Sequence, residues 1–190
     1  MNGDYALVVY DGIRPGSFSR TSQGKNLFSH RALMPGHRSK PSTYERALNM
    51  LEARARSAAE LRRLLLRKGE PTADVDAAIE RLLAAGLVDD ASFARQFTRS
   101  KALGSGLSRR RLQQELSRRG VSREISDAAI GEVFAEEGVD DAVSIERIAT
   151  KKLRALSRLD GATQRRRLYA FLARRGYDSD DIARVLRELA

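Results

Sequence analysis

The chain has 190 residues, 42% of them hydrophobic, no cysteine or tryptophan, and 35 Lys+Arg against 25 Asp+Glu for a formal charge of +10. That length suits one or two domains with a buried core, and the lack of cysteine excludes a disulfide framework or a thiolate metal site. The positive balance points to a polyanion such as nucleic acid rather than to an acidic small molecule.

The opening MNGDYALVVY carries no basic n-region, and no apolar run approaches the ~20 residues that span a bilayer. Export and membrane insertion are therefore not expected, and the cytoplasm is. Residues 1–43 hold Pro15, Pro35 and Pro41, both histidines (His30 and His37) and many Gly and Ser, with no sustained period. They read as a disordered N-terminal extension. The alternative is a basic arm that touches phosphates, because Arg14, Arg20, Lys25, Arg31, Arg38 and Lys40 outnumber Asp4 and Asp11.

From Tyr44 onward the apolar spacing is helical, as in Tyr44, Ala47, Leu48 and Leu51, and strand signals are missing. Self-comparison exposes a repeat that ends a helix at Gly69, Gly120 and Gly176, 51 and 56 residues apart. Eight and four residues before each glycine stand Leu61 and Leu65, Leu112 and Leu116, and Leu168 and Leu172, pairs that share one helix face and point to the core. Two basic residues precede each glycine, where they complement the helix C-terminus, and the glycine suits a left-handed cap.

After each glycine comes a turn with a candidate N-cap (Thr72, Ser122, Ser179) and a further amphipathic helix. Ser57 and Glu60 form a capping-box pattern before the first middle helix. With leading helices over about 44–55, 91–102 and 140–156, the spacing predicts nine helices in three units. The expected fold is all-α: three tandem three-helix repeats (44–90, 91–138 and 139–190) in an elongated, curved array. Each unit is small, so neighbours are expected to share packing.

Charge is unevenly placed. Residues 44–98 carry 9 basic and 9 acidic groups, 99–119 carry 7 and 1, 120–146 carry 1 and 8, and 147–175 carry 10 and 1. Two arginine triplets, Arg109 to Arg111 and Arg165 to Arg167, stand at the same offset from their glycines. At 100° per residue, Arg110, Arg111 and Arg118 fall away from Leu112 and Leu116. Arg166, Arg167 and Arg174 form the matching set in the third repeat, so two similar outward cationic stripes are expected. A charge run is ordinarily just a solvated face, but one sign concentrated on corresponding helices repels itself unless an anionic partner is met. The filament- or DNA-binding candidates are Arg110, Arg111, Arg118, Arg119, Arg166, Arg167, Arg174, Lys151 and Lys152.

The segment from Ala102 to Leu107 could bring backbone N–H groups near a phosphate, but it lacks Walker spacing and a preceding strand, and reads as a flexible connection capped by Ser108. Asp89 with Asp90, and Asp140 with Asp141, suit helix entries better than metal ligation. With histidines only in the extension, no catalytic, metal or cofactor site is expected, and the chain reads as a non-enzyme.

Asp90, Phe93, Ala94 and Phe97, followed by Gly106, Arg111, Leu112, Glu115, Leu116, Arg119, Gly120 and Val121, resemble in order and spacing the central signature of the RecX family. The resemblance covers about 44–190 and leaves 1–43 without a counterpart. It implies a modular protein that binds the RecA recombinase filament, lodges along its groove and modulates, usually inhibiting, ATP hydrolysis, strand exchange and filament growth in recombination and DNA repair. Carried over, Arg111 and Arg119 with the neighbouring Arg110 and Arg118 become contacts, and Phe93, Phe97, Leu112 and Leu116 become core. The partners so implied are the RecA filament and single- and double-stranded DNA, met by a monomer. Two alternatives stand beside this: a stand-alone DNA-binding protein of helix-turn-helix-like type, and a helical-repeat scaffold for a protein partner.

Overall fold

The computed structural model describes residues 40–189, so the expected disordered extension and its basic-arm alternative lie outside the described residues as far as residue 39. Among the described residues there are nine helices and no strand: α1 (Thr43–Ala53), α2 (Ala58–Arg67), α3 (Thr72–Ala84), α4 (Asp90–Ser105), α5 (Arg109–Arg118), α6 (Arg123–Glu136), α7 (Asp141–Ala155), α8 (Gly161–Arg174) and α9 (Ser179–Leu189). They form three repeats of three helices. No described helix is long and apolar enough to cross a membrane.

Local chemistry sets the helix ends, in places differently from expectation. The first helix starts at Thr43 because Ser42 and Glu45 make a full capping box, a pair overlooked when the boundary is drawn at Tyr44. Ser57 caps α2 through the Glu60 N–H at 3.1 Å, and Ser122 caps α6. Thr72 and Ser179 lie inside their helices; Pro71 precedes α3 without a side-chain cap, while the Asp178 carboxylate accepts from the N–H groups of Asp180 and Asp181 at 3.1 and 2.9 Å. The segment from Ala102 is not a loose connection: α4 runs through Ser105 and stops at Gly106, whose φ of 62° is the left-handed cap.

The repeated leucine pairs are the centres of the fold. Leu61, Leu65, Leu112, Leu116, Leu168 and Leu172 are all fully buried. Each repeat gathers its own cluster around its pair: Val75, Ile79 and Leu82 in the first; Phe93, Ile130 and Phe134 in the second; Ile145, Ile182 and Val185 in the third. Neighbours share packing at Gly106, Gly120 and Gly176, as expected, but the apolar cores are separate and most links between repeats are polar.

Those contacts recur at both junctions. The N-terminus of each preceding middle helix is received by the C-terminus of the next one. Ser57 donates its hydroxyl to the Arg119 carbonyl at 2.5 Å, and the Ser108 N–H donates to the Arg175 carbonyl at 3.0 Å. Arginine adds a second link each time: Arg63 donates to the Arg118 carbonyl at 3.0 Å, and Arg110 to the Gly176 carbonyl at 3.1 Å. These carbonyls are among the acceptors an α-helix leaves unpaired at its end, and the facing N-termini carry the complementary partial charge.

The second aspartate of each acidic pair completes the junction. Asp89 and Asp140 cap their own helices, as expected, but Asp90 accepts from the Ala58 N–H at 2.8 Å, and Asp141 lies 3.9 Å from the Arg109 guanidinium. Close approach also explains the glycines. A Cβ on Gly120 would overlap Ala59, and one on Gly176 would stand 2.6 Å from the Ser108 Oγ, whereas one on Gly69 meets nothing among the described residues.

All three glycines have positive φ, between 80° and 89°. Gly69→Ala should therefore cost only the backbone penalty of about 1 kcal/mol. Gly120→Ala and Gly176→Ala should cost about 1–3 kcal/mol more through overlap. Urea denaturation of the three variants checks the ranking, and equal losses would refute the role given to the junctions.

Candidate nucleic-acid interface

The two arginine triplets that look alike in sequence have different surroundings. The fifth helix begins at Arg109, so its triplet occupies the first turn, against repeat 3. The eighth begins at Gly161 and has 14 residues against 10, which places Arg165 to Arg167 in its second turn. Asp160, not a serine, caps it, and among the described residues no helix end is set against it.

As a result the α5 arginines work inside the molecule. Arg110 spans the junction, reaching the Gly176 and Tyr177 carbonyls. Glu115 then acts as a hub: Arg111 lies 2.7 Å from its carboxylate, Arg119 2.8 Å and Arg118 3.3 Å. Arg119 also stacks over Phe97 at 4.4 Å and lies 3.9 Å from Glu60 of repeat 1. The row expected to face outward on α5 therefore also makes contacts within the molecule. Of its members Arg110 and Arg118 remain exposed, Arg118 with a side chain 64% exposed, while Arg111 is half-buried against Glu115.

The hydrogen bond from Arg119 holds the Glu115 carboxyl below its ordinary 4.5, aided by the charges of Arg111, Arg119 and Arg118 and opposed by burial. Its spacing, four residues after Arg111 and four before Arg119, is a legible helical pairing signal. A similar cancellation removes positive charge from α4: Arg99 pairs with Glu136 and Glu137 at 2.7 and 2.6 Å, and Arg95 lies 3.7 Å from Glu132. Much of the acidic charge of α6 is therefore spent within repeat 2.

Repeat 3 is the contrast. Arg166, Arg167 and Arg174 are exposed and form no ion pair among the described residues, and the same holds for Lys151. Arg167 and Arg174, seven residues apart, lie almost in line along α8. Lys152 is half-buried with its ammonium 5.2 Å from the Phe171 ring centre. Tyr169, also exposed, sits on the same helix. Over 147–175 a single acidic residue, Asp160, faces ten basic ones, and its carboxylate is engaged by the Thr163 N–H at 2.9 Å.

Such a surface suits phosphate contact by exposed guanidinium and ammonium groups. Among the described residues no group of three or more His, Asp or Glu is placed to hold a metal ion. Sequence reasoning missed two cations beside Lys151: Arg147, four residues earlier on α7 and legible from helical spacing, and Arg175, brought to it by the packing of α8 on α7 within repeat 3.

Comparison with known proteins bears on the same three units. Residues 44–82, 89–130 and 140–186 match the first, second and third three-helix domains of RecX, respectively. Regulatory protein RecX of Mycobacterium ulcerans is 38% identical over 161 residues, covering 82% of this chain and 92% of the relative. Regulatory protein RecX of Amycolatopsis mediterranei is 38% identical over 144 residues, covering 76% and 81%. The crystal structure of RecX from Lactobacillus salivarius superposes with a TM-score of 0.59 at 20% identity, over 77% of this chain and 94% of that one. A second crystal structure, of a regulatory protein RecX, gives 0.62 at 19%, over 77% and 71%. At that identity the two structures speak for the fold.

The depressed Glu115 carboxyl has a consequence for acid stability. A carboxylate that titrates lower when folded contributes stability that is complete above its unfolded value near 4.5 and is lost as pH falls through the folded one. Glu115→Gln should thus be less stable than the parent at neutral pH and converge with it on acidification. Paired denaturation curves across that window check this, and a constant gap would contradict it.

Proposed function

The chain belongs to the RecX family, and on that footing we propose that it binds the RecA recombinase filament and inhibits its ATPase, strand exchange and growth. The observation that carries the reading is the set of cations on repeat 3, ten basic residues over 147–175 with the α8 arginines free of carboxylate partners among the described residues. In a helical array where many other arginines are paired with carboxylates or used in junctions, an unneutralised face held against self-repulsion is best accounted for by a polyanionic partner.

Repeat 3 supplies the phosphate contacts through Arg166, Arg167, Arg174, Lys151 and Lys152, with Arg118 adding one from repeat 2. Arg110, Arg111 and Arg119 serve by fixing repeat 2 between its neighbours, which sets where the basic face stands. The protein acts by binding, without cofactor or catalysis, as a cytoplasmic monomer. Both single- and double-stranded DNA offer the phosphate spacing that such a face meets.

The decisive experiment measures recombinase ATPase on single-stranded DNA with sub-stoichiometric amounts of this protein. Suppression is expected, and normal ATPase at saturating protein would overturn the proposal. Arg166→Glu with Arg167→Glu should relieve suppression and lower the salt dependence of DNA binding by about one unit of slope for each phosphate left unneutralised. Arg110→Gln should act mainly on stability. Tight duplex binding with no effect on the recombinase would favour the stand-alone DNA-binding reading instead.

A further inference from the structure

Where repeat 3 packs on repeat 2, the end of α4 over Leu103–Gly106 and the facing sides of α7 and α8 enclose a cleft of about 390 Å³. Four cations line it, Arg147, Lys151, Lys152 and Arg175, over an apolar floor that includes Ile148 and Phe171. No acidic residue is among its lining, and none of the four cations has a carboxylate partner among the described residues.

Arg175 is the informative member. Its guanidinium is placed by backbone and ring, donating to the Ser105 carbonyl at 2.9 Å and stacking over Phe171 at 3.6 Å. Burial holds its pKa below the ordinary arginine value, the mark of a cation that has lost water without gaining a counter-ion. The wall beside it is tied to repeat 3, because Gly106 packs against Ile148 and the buried Tyr177 hydroxyl donates to the Gly106 carbonyl at 3.3 Å.

Like charges gathered in one concavity favour an anion with several oxygens. A phosphate monoester carries about −1.5 to −2 charge and three acceptor oxygens, whereas one carboxylate would leave most of the four cations unmatched. The volume falls within the ~300–1,000 Å³ range of small-molecule clefts, and an inorganic ion would leave the apolar floor unused. The Phe171 ring is already engaged by Arg175 and Lys152, so recognition rests on phosphate charge and aliphatic contact.

We propose that this cleft is a nucleotide-phosphate site, in which the four cations take the phosphates and the apolar floor takes the sugar and base. It rests on the reading of repeat 3 as the polyanion-contacting module. The same chemistry is offered by a free nucleoside polyphosphate and by a nucleotide within a single strand, and the test separates them.

The full chain is titrated calorimetrically with ATP, with ADP and with an oligothymidylate, in the absence of recombinase. Saturable binding of free nucleotide, weakened about tenfold or more by Arg147→Gln with Lys151→Gln, assigns the small-molecule source. Binding of the oligonucleotide alone, with hydrogen-exchange protection appearing over 103–106, assigns the strand, since contact confined to the Arg166 and Arg167 face would leave that wall unchanged. Both substituted side chains are exposed and lie outside the buried cores, so the variant is expected to fold. Absence of saturable binding, equal binding by parent and variant, or equally tight binding of a polyglutamate peptide overturns the site. Because the titration contains no recombinase, such a failure leaves the filament reading to its own assay.

Discussion

The structure depends on one contact made twice: the start of a middle helix set against the end of the next middle helix, across a glycine. The helix start offers a serine and unpaired N–H groups, and the helix end offers unpaired carbonyls, so each junction satisfies groups that would otherwise need water or a separate cap. The approach is close enough that Gly120 and Gly176 have no room for a Cβ. Asp90 and Asp141 then tie the first helix of the following repeat to the same helix start. Since these links run only between successive repeats among the described residues, the arrangement is of nearest-neighbour type.

A polar junction between separate apolar cores changes what the arginines are for. In repeat 2, which has a neighbour on each side, Arg110 is drawn to the Gly176 carbonyl and Arg119 to Phe97 and the Glu60 side. The Glu115 carboxylate pairs with Arg111 and Arg119 and, at longer range, with the exposed Arg118. Among the described residues, repeat 3 meets only repeat 2. Its middle helix is extended by about a turn, and its arginines meet water. The position of a repeat in the row, more than its composition, thus separates structural from exposed charge. Within repeat 3 the packing of α7 on α8 gathers Arg147, Lys151, Lys152 and Arg175, and the end of α4 closes the cleft around them.

Much of the fold is legible along the chain because its signals are local. The leucine pairs four residues apart, the capping serines and the left-handed glycines each act over one or two helical turns, and all three repeats follow from them. Errors at Thr72 and Ser179 are of one residue, where a nearby aspartate or proline displaced the expected cap. The candidate site is less legible. Helix angles correctly find which arginines avoid the core, but they do not register a carboxylate such as Glu115 or a carbonyl from another repeat as the destination of the side chain.

The sequence alone determined the helical class, the threefold module, the buried leucines and the concentration of positive charge toward the C-terminal third, since each arises from neighbours within a few turns. Tertiary structure alone decided that the cores are separate, that Asp90 and Asp141 serve the preceding repeat, and that two arginine triplets at equal offsets differ in fate. Those outcomes depend on which helix ends meet, through contacts 30 to 70 residues apart in the chain, and no periodicity within one helix encodes them.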